Sequence, residues 1–85
     1  MNKREQEIRA AKDASRVFND PYFQSKFQAL ENRIISQMRA VPMGDRDTQH
    51  ELVLTLQLLG RLKREFEEAI ETGRMAEMQE GQKRV

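Results

Sequence analysis

Cysteine is absent from these 85 residues, so neither a disulfide nor a thiolate metal site can staple the fold. Histidine occurs once, at His50, which excludes a multi-histidine zinc site within one chain. Long apolar runs are missing as well, and none approaches the roughly 20 residues that span a bilayer. Glycines are few and isolated, at 44, 60, 73 and 81, so there is no phosphate-cradling loop. The chain also lacks paired general acids and a nucleophile–base couple, and the expectation is a non-enzyme with no catalytic residue, cofactor or metal. The N-terminal MNKREQEIRAAK has no unbroken apolar core of a secretory signal. A soluble, intracellular protein with no membrane contact is expected.

A chain this short buries only roughly 60 to 65% of its unfolded surface, so a lone copy is marginal. Without staples, such a domain needs very good helix packing or a partner chain. The composition offers plenty of charge for a surface, 34% of residues, but in near balance at +1. That balance gives no pointer to an acidic or a basic ligand.

Two prolines punctuate the chain at 21 and 42. In FNDPYF, Asp20 is placed to cap a helix, with Pro21 at its first position, where a missing N–H costs nothing. In AVPMGDRDT, Pro42 ends that helix, Gly44 turns the chain, and Asp45 or Asp47 caps the next. In ETGR, Gly73 is read as a left-handed residue closing the last helix. The spacing therefore predicts an all-α fold: a shorter N-terminal helix over about 3–18, then an antiparallel helical hairpin of about 21–40 and 47–72. Residues 1–73 form the expected single domain, and 74–85 a polar, frayed tail.

The apolar periodicity differs among the three segments. The first carries a thin stripe of Ile8, Ala11, Ala14, Val17 and Phe18. In the second, Phe23, Phe27, Leu30, Ile34 and Met38 recur at steps of four and three, one face of a helix. The third sets Leu52, Leu59 and Phe66 seven apart, interleaved with Thr55, Leu62 and Ala69, as in the two seam positions of a heptad, with Leu56 and Ile70 widening the seam. Tyr22 and Phe23 are read as stapling the start of the second helix.

Leucine is in excess around residues 52 to 59. Val53, Leu54 and Leu58 fall off the seam that faces the second helix, and the first helix has few large side chains to cover them. At ~25 cal/mol per Å², three wet aliphatic side chains forgo several kcal/mol, a large share of a small domain's stability. An oligomer is expected, with Val53, Leu54, Leu58 and Gly60 at the interface. Gly60 fits a close backbone approach, since a glycine inside a helix costs ~1 kcal/mol; drift at an exposed position accounts for it equally well.

Two charged segments are candidate docking elements. Lys3, Arg4, Arg9, Lys12 and Arg16 offer a basic N-terminal arm for nucleic acid or a partner, although Glu5, Glu7 and Asp13 reduce it to +2. Glu65, Glu67, Glu68 and Glu71 form an acidic patch near the expected end of the third helix, where they oppose the macrodipole. Helical spacing spreads them too widely for a divalent-ion site, and Arg61–Glu65 and Arg64–Glu68 are expected i,i+4 ion pairs. Met75 and Met78 suit either an adaptable docking strip or residual helix packing.

Residues 19–76 resemble small tailed-phage and prophage proteins encoded among head and DNA-packaging genes. The likeness lies in Asp20–Pro21–Tyr22–Phe23 opening a helix, Pro42 with Asp45 and Asp47 in a loop, the leucine-rich stretch Leu52 to Leu62, and Gly73–Arg74. It implies a non-enzymatic accessory or structural protein of virion head assembly or DNA packaging, in the host cytoplasm or the virion, with a phage structural or packaging protein as partner. It transfers no functional residue. A nucleic-acid-binding accessory that uses the basic N-terminal helix, and a small helical inhibitor of a host enzyme, are the alternative expectations.

Overall fold

The computed structural model describes residues 2–83 and contains three helices: α1 Lys3–Phe18, α2 Pro21–Ala40 and α3 Arg46–Lys83. Each start is capped as its sequence dictates. The Asn2 side chain accepts from the Glu5 N–H at 2.8 Å, Asp20 from the Phe23 N–H at 2.9 Å, and Asp45 from the Thr48 N–H at 3.1 Å. Pro21 takes the first position of α2, and its preceding residue Asp20 is extended at φ −65° and ψ 126°, as a residue before proline prefers.

The third helix overturns the expected boundary at 72. It runs for 38 residues, straight through Gly73, and no described glycine has a positive φ. Residues 74–83 are therefore helix rather than frayed tail, and they carry packing contacts: Arg4 of α1 lies 3.7 Å from Glu80. Val85, Arg84 and Met1 lie outside the described residues. The signal for continuation was the same seven-residue register that places Leu52, Leu59 and Phe66, extended to Gly73 and Glu80. Gly73 is not a terminator but a crossing point. It is buried, and a methyl group added there would overlap the Ala11 side chain and stand 2.9 Å from the Glu7 carbonyl oxygen.

At ~1.5 Å per residue α3 is about 57 Å long, and α1 and α2 together are about as long. The two shorter helices lie end to end along it. Arg4 beside Glu80, Ala11 against Gly73, and Phe18 on Phe66 place α1 antiparallel to the second half of α3. Phe23 meets Phe66 at one end of α2, and the Val41–Asp45 link joins the other end to α3. The contact between α1 and α3 is the more extensive of the two, although the expected centre of the fold was the second helix on the third. Small residues explain it: Gly73 admits Ala11 and the Glu7 backbone, and Ala76, one turn on, is buried.

Where the three helices meet, all four phenylalanines of the chain gather. Phe18 stacks on Phe66 with centroids 5.4 Å apart, and Phe23 meets Phe66 edge-on at 5.5 Å and Phe27 at 5.9 Å. Such pairs contribute about 0.5–1.5 kcal/mol each beyond their buried area. The break between α1 and α2 is tied by the Gln24 side chain, which donates to the Phe18 carbonyl at 2.8 Å. Tyr22, expected as a staple, is 72% exposed with the Lys26 ammonium 5.4 Å from its ring centre; Phe23 alone packs inward.

The resulting molecule is long and thin, 63 × 24 × 20 Å, with a radius of gyration of 18.2 Å against about 12 Å for a compact chain of this length. Among the described apolar side chains only Ile34 and Ala76 are buried. The accessible surface is 6955 Å², about 1,700 Å² more than a globular monomer of this mass exposes.

The two interior glycines of α3 give opposite expectations. Gly73→Ala should destabilise the fold by about 1–3 kcal/mol through overpacking against α1, seen as a lower Tm by circular dichroism. Gly60→Ala, whose added methyl meets nothing within 4 Å, should raise the Tm by a gain of ~1 kcal/mol in helix propensity.

Candidate functional site: an exposed leucine row on the long helix

The residues that α3 turns toward its neighbours are set by its periodicity. Leu52, Leu56 and Leu59 are half-buried on the α2 side, followed by Phe66, Ala69, Ile70, Gly73 and Ala76 along α1. Thr55 and Leu62, expected in this seam, are exposed. Leu56 and Ile70, expected to widen the seam, take its second position instead. The packing direction then drifts around the helix as α2 gives way to α1, which brings Ala69 and Ala76 inward.

The four expected interface residues do not form one surface. Leu54 is 49% and Leu58 68% exposed, and Leu62, at 46%, extends them to a row at steps of four. Residues four apart share a helix face. Neither α1 nor α2 covers this row, because α1 docks on the half of α3 beyond Phe66. Val53 is half-buried in a hollow at the α2–α3 link, with Met38, Val41 and His50. Gly60 is open, with nothing within 4 Å of an added methyl. Among the described residues no backbone approaches it, so close packing within the chain does not account for that glycine.

The basic arm is a folded helix. Lys3, Arg9, Lys12 and Arg16 are exposed, while Arg4 is half-buried and turned to Glu80. Arg16 pairs with Asp13 at 3.5 Å. The outer face of α1 thus mixes signs and presents no unbroken basic stripe.

The acidic group changes meaning with the length of α3. Glu65, Glu67, Glu68 and Glu71 sit in the middle of the helix, more than a turn from its end at Lys83, so the macrodipole does not oppose them. The ion pairs expected at Arg61–Glu65 and Arg64–Glu68 do not form within 4.0 Å among the described residues. Glu71 instead takes Arg74 in a two-toothed pair, one tooth Nε to Oε2 at 3.0 Å. That guanidinium holds the Glu71 carboxyl below its ordinary pKa and is itself raised. Glu67 lies apart, lining the cleft beside the phenylalanines with Lys63 and Glu31.

Among the described residues no group of three His, Asp or Glu side chains converges as a metal site, and His50 is exposed. No described helix is long and apolar enough to cross a membrane. The class that fold and surface define is an all-α, three-helix protein with a bare leucine row. Compared with known proteins, the chain matches no family model, no curated protein and no solved structure.

The start of α3 has a pH signature. Hydrogen bonds from the Thr48 side chain and backbone lower the Asp45 pKa. A depressed pKa contributes stability that is present above the ordinary carboxylate range and lost as pH falls through the lowered value. The Tm of the wild type should therefore fall more steeply on acidification than that of Asp45→Asn, whose side-chain oxygen still accepts from Thr48 but carries no titrating carboxylate.

Proposed function

We propose that this chain is a non-enzymatic interaction protein that works as an oligomer and docks through the exposed leucine row of α3. The resemblance of residues 19–76 supplies the setting, virion head assembly or DNA packaging in a tailed phage. One observation carries the docking reading: Leu54, Leu58 and Leu62 are 49%, 68% and 46% exposed in a chain whose buried described apolar side chains are Ile34 and Ala76 alone. A row of large side chains in water forgoes free energy that a small domain can little spare. It persists where a second surface covers it.

The second half of α3 and the α1 stacked on it then form a rigid stalk that holds the row away from the charged end of the molecule. In this reading the mixed charges of α1 and the Glu65–Glu71 stretch keep the stalk soluble and orient it toward a larger component. The paired α2 stiffens α3 behind the row, so that docking does not require the helix to order first.

Size-exclusion chromatography with light scattering tests this directly. The wild type at high micromolar concentration should elute with a mass above the 10.0 kDa of one chain. Leu54→Glu with Leu58→Glu should return it to one chain, with helical circular dichroism unchanged because neither side chain packs in the fold. A wild type that stays at the mass of one chain overturns the reading.

A further inference from the structure

The leucine row carries its own address. Glu51, Leu54, Leu58 and Arg61 follow one another at steps of three, four and three, the spacing of a heptad seam. All four are exposed. They stand on the side of α3 opposite Leu52, Leu56 and Leu59, so a helix laid on them does not compete with α2. Among the described residues neither Glu51 nor Arg61 has an oppositely charged group within 4.0 Å.

We propose that the occupant of this seam is a second copy of the chain, its α3 antiparallel to the first about a two-fold axis level with Leu56. The proposal rests on the docking reading above and adds the partner and the register. Turning the helix about that level sets Leu54 opposite Leu58 of the copy, and Glu51 opposite Arg61, each pair occurring twice. A two-fold interface requires this self-complementarity. The parallel, in-register alternative sets Glu51 on Glu51 and Arg61 on Arg61, two like-charge layers that disfavour it. One layer further out the antiparallel register opposes Asp47 to Glu65, so the seam ends there and is short.

The elongated chain has surface to spare. A standard interface takes about 800 Å² from each partner, and this chain exposes about 1,700 Å² beyond a compact monomer of its mass. The product is a four-helix layer in which the two copies of α3 lie at the centre, each flanked by its own α2. The two α1 stalks project from opposite ends.

Sedimentation equilibrium of the full chain and its charge variants tests the register. Glu51→Arg alone and Arg61→Glu alone should each raise the dimer dissociation constant about tenfold or more, a change of about 1.4 kcal/mol. The double swap should restore it to near the wild-type value. Because the chain has no cysteine of its own, Leu54→Cys mixed with Leu58→Cys under mild oxidation should give a mixed disulfide. Crosslinking of Leu58→Cys to itself in preference, or single charge variants that leave the dimer unchanged, would overturn the antiparallel pairing. A dimer lost in Leu58→Glu but indifferent to the charge swap removes this register and leaves the docking reading standing. A wild type that never dimerises removes both.

Discussion

One helix is too long for the rest of the chain, and the architecture is the solution to that mismatch. The apolar seam of α3, from Leu52 to Ala76, extends over about seven turns, but no other helix runs more than 20 residues before a proline or a cap interrupts it. Two helices placed end to end cover the length, and the Asn19–Asp20 break between them must fall against α3 rather than in open water. The phenylalanine cluster sits at that joint because the backbone leaves a gap there that small side chains cannot fill. Phe66 spans it, touching both Phe18 and Phe23.

The two halves of the molecule bury their seams by different means. Along α2 the contact uses branched and long side chains, with Ile34 at its centre. Along α1 it uses closeness at Gly73, where an added methyl would overlap Ala11, with Ala76 buried one turn on. Neither half forms a thick core. A two-layer arrangement of helices leaves the far side of each helix in water, and on α3 that far side is where the leucines of residues 54 to 62 lie. The same geometry that makes the fold possible with so few apolar residues therefore fixes which of them are left over.

Charge does different work along the rod. Around α1 and the second half of α3 it is dense and mixed, with Arg4–Glu80, Arg16–Asp13 and Arg74–Glu71 all formed. Pairs at a surface contribute little stability individually. On the first half of α3 the charges are sparse and stand at the ends of the leucine row. That contrast in charge density sets the leucine row apart from the rest of the helical surface.

Much of this was written in local sequence. Caps at Asp20 and Asp45, the proline at the first position of α2, and periods of three and four residues determine three helices and the starts of α2 and α3, because capping and amphipathic spacing are short-range physics. The leftover leucines were legible too, since one helix face can be counted against another. The end of α3 was not, because a glycine after a polar turn has the same local signature whether it closes a helix or admits a neighbour. Only the approach of Ala11 and the Glu7 carbonyl decided that Gly73 is a crossing. The position of α1 was likewise a tertiary matter. A thin alanine stripe fits any flat partner, and closeness at Gly73 and Ala76, which no spacing within α1 encodes, drew it to the far half of α3 and left Leu54 and Leu58 bare.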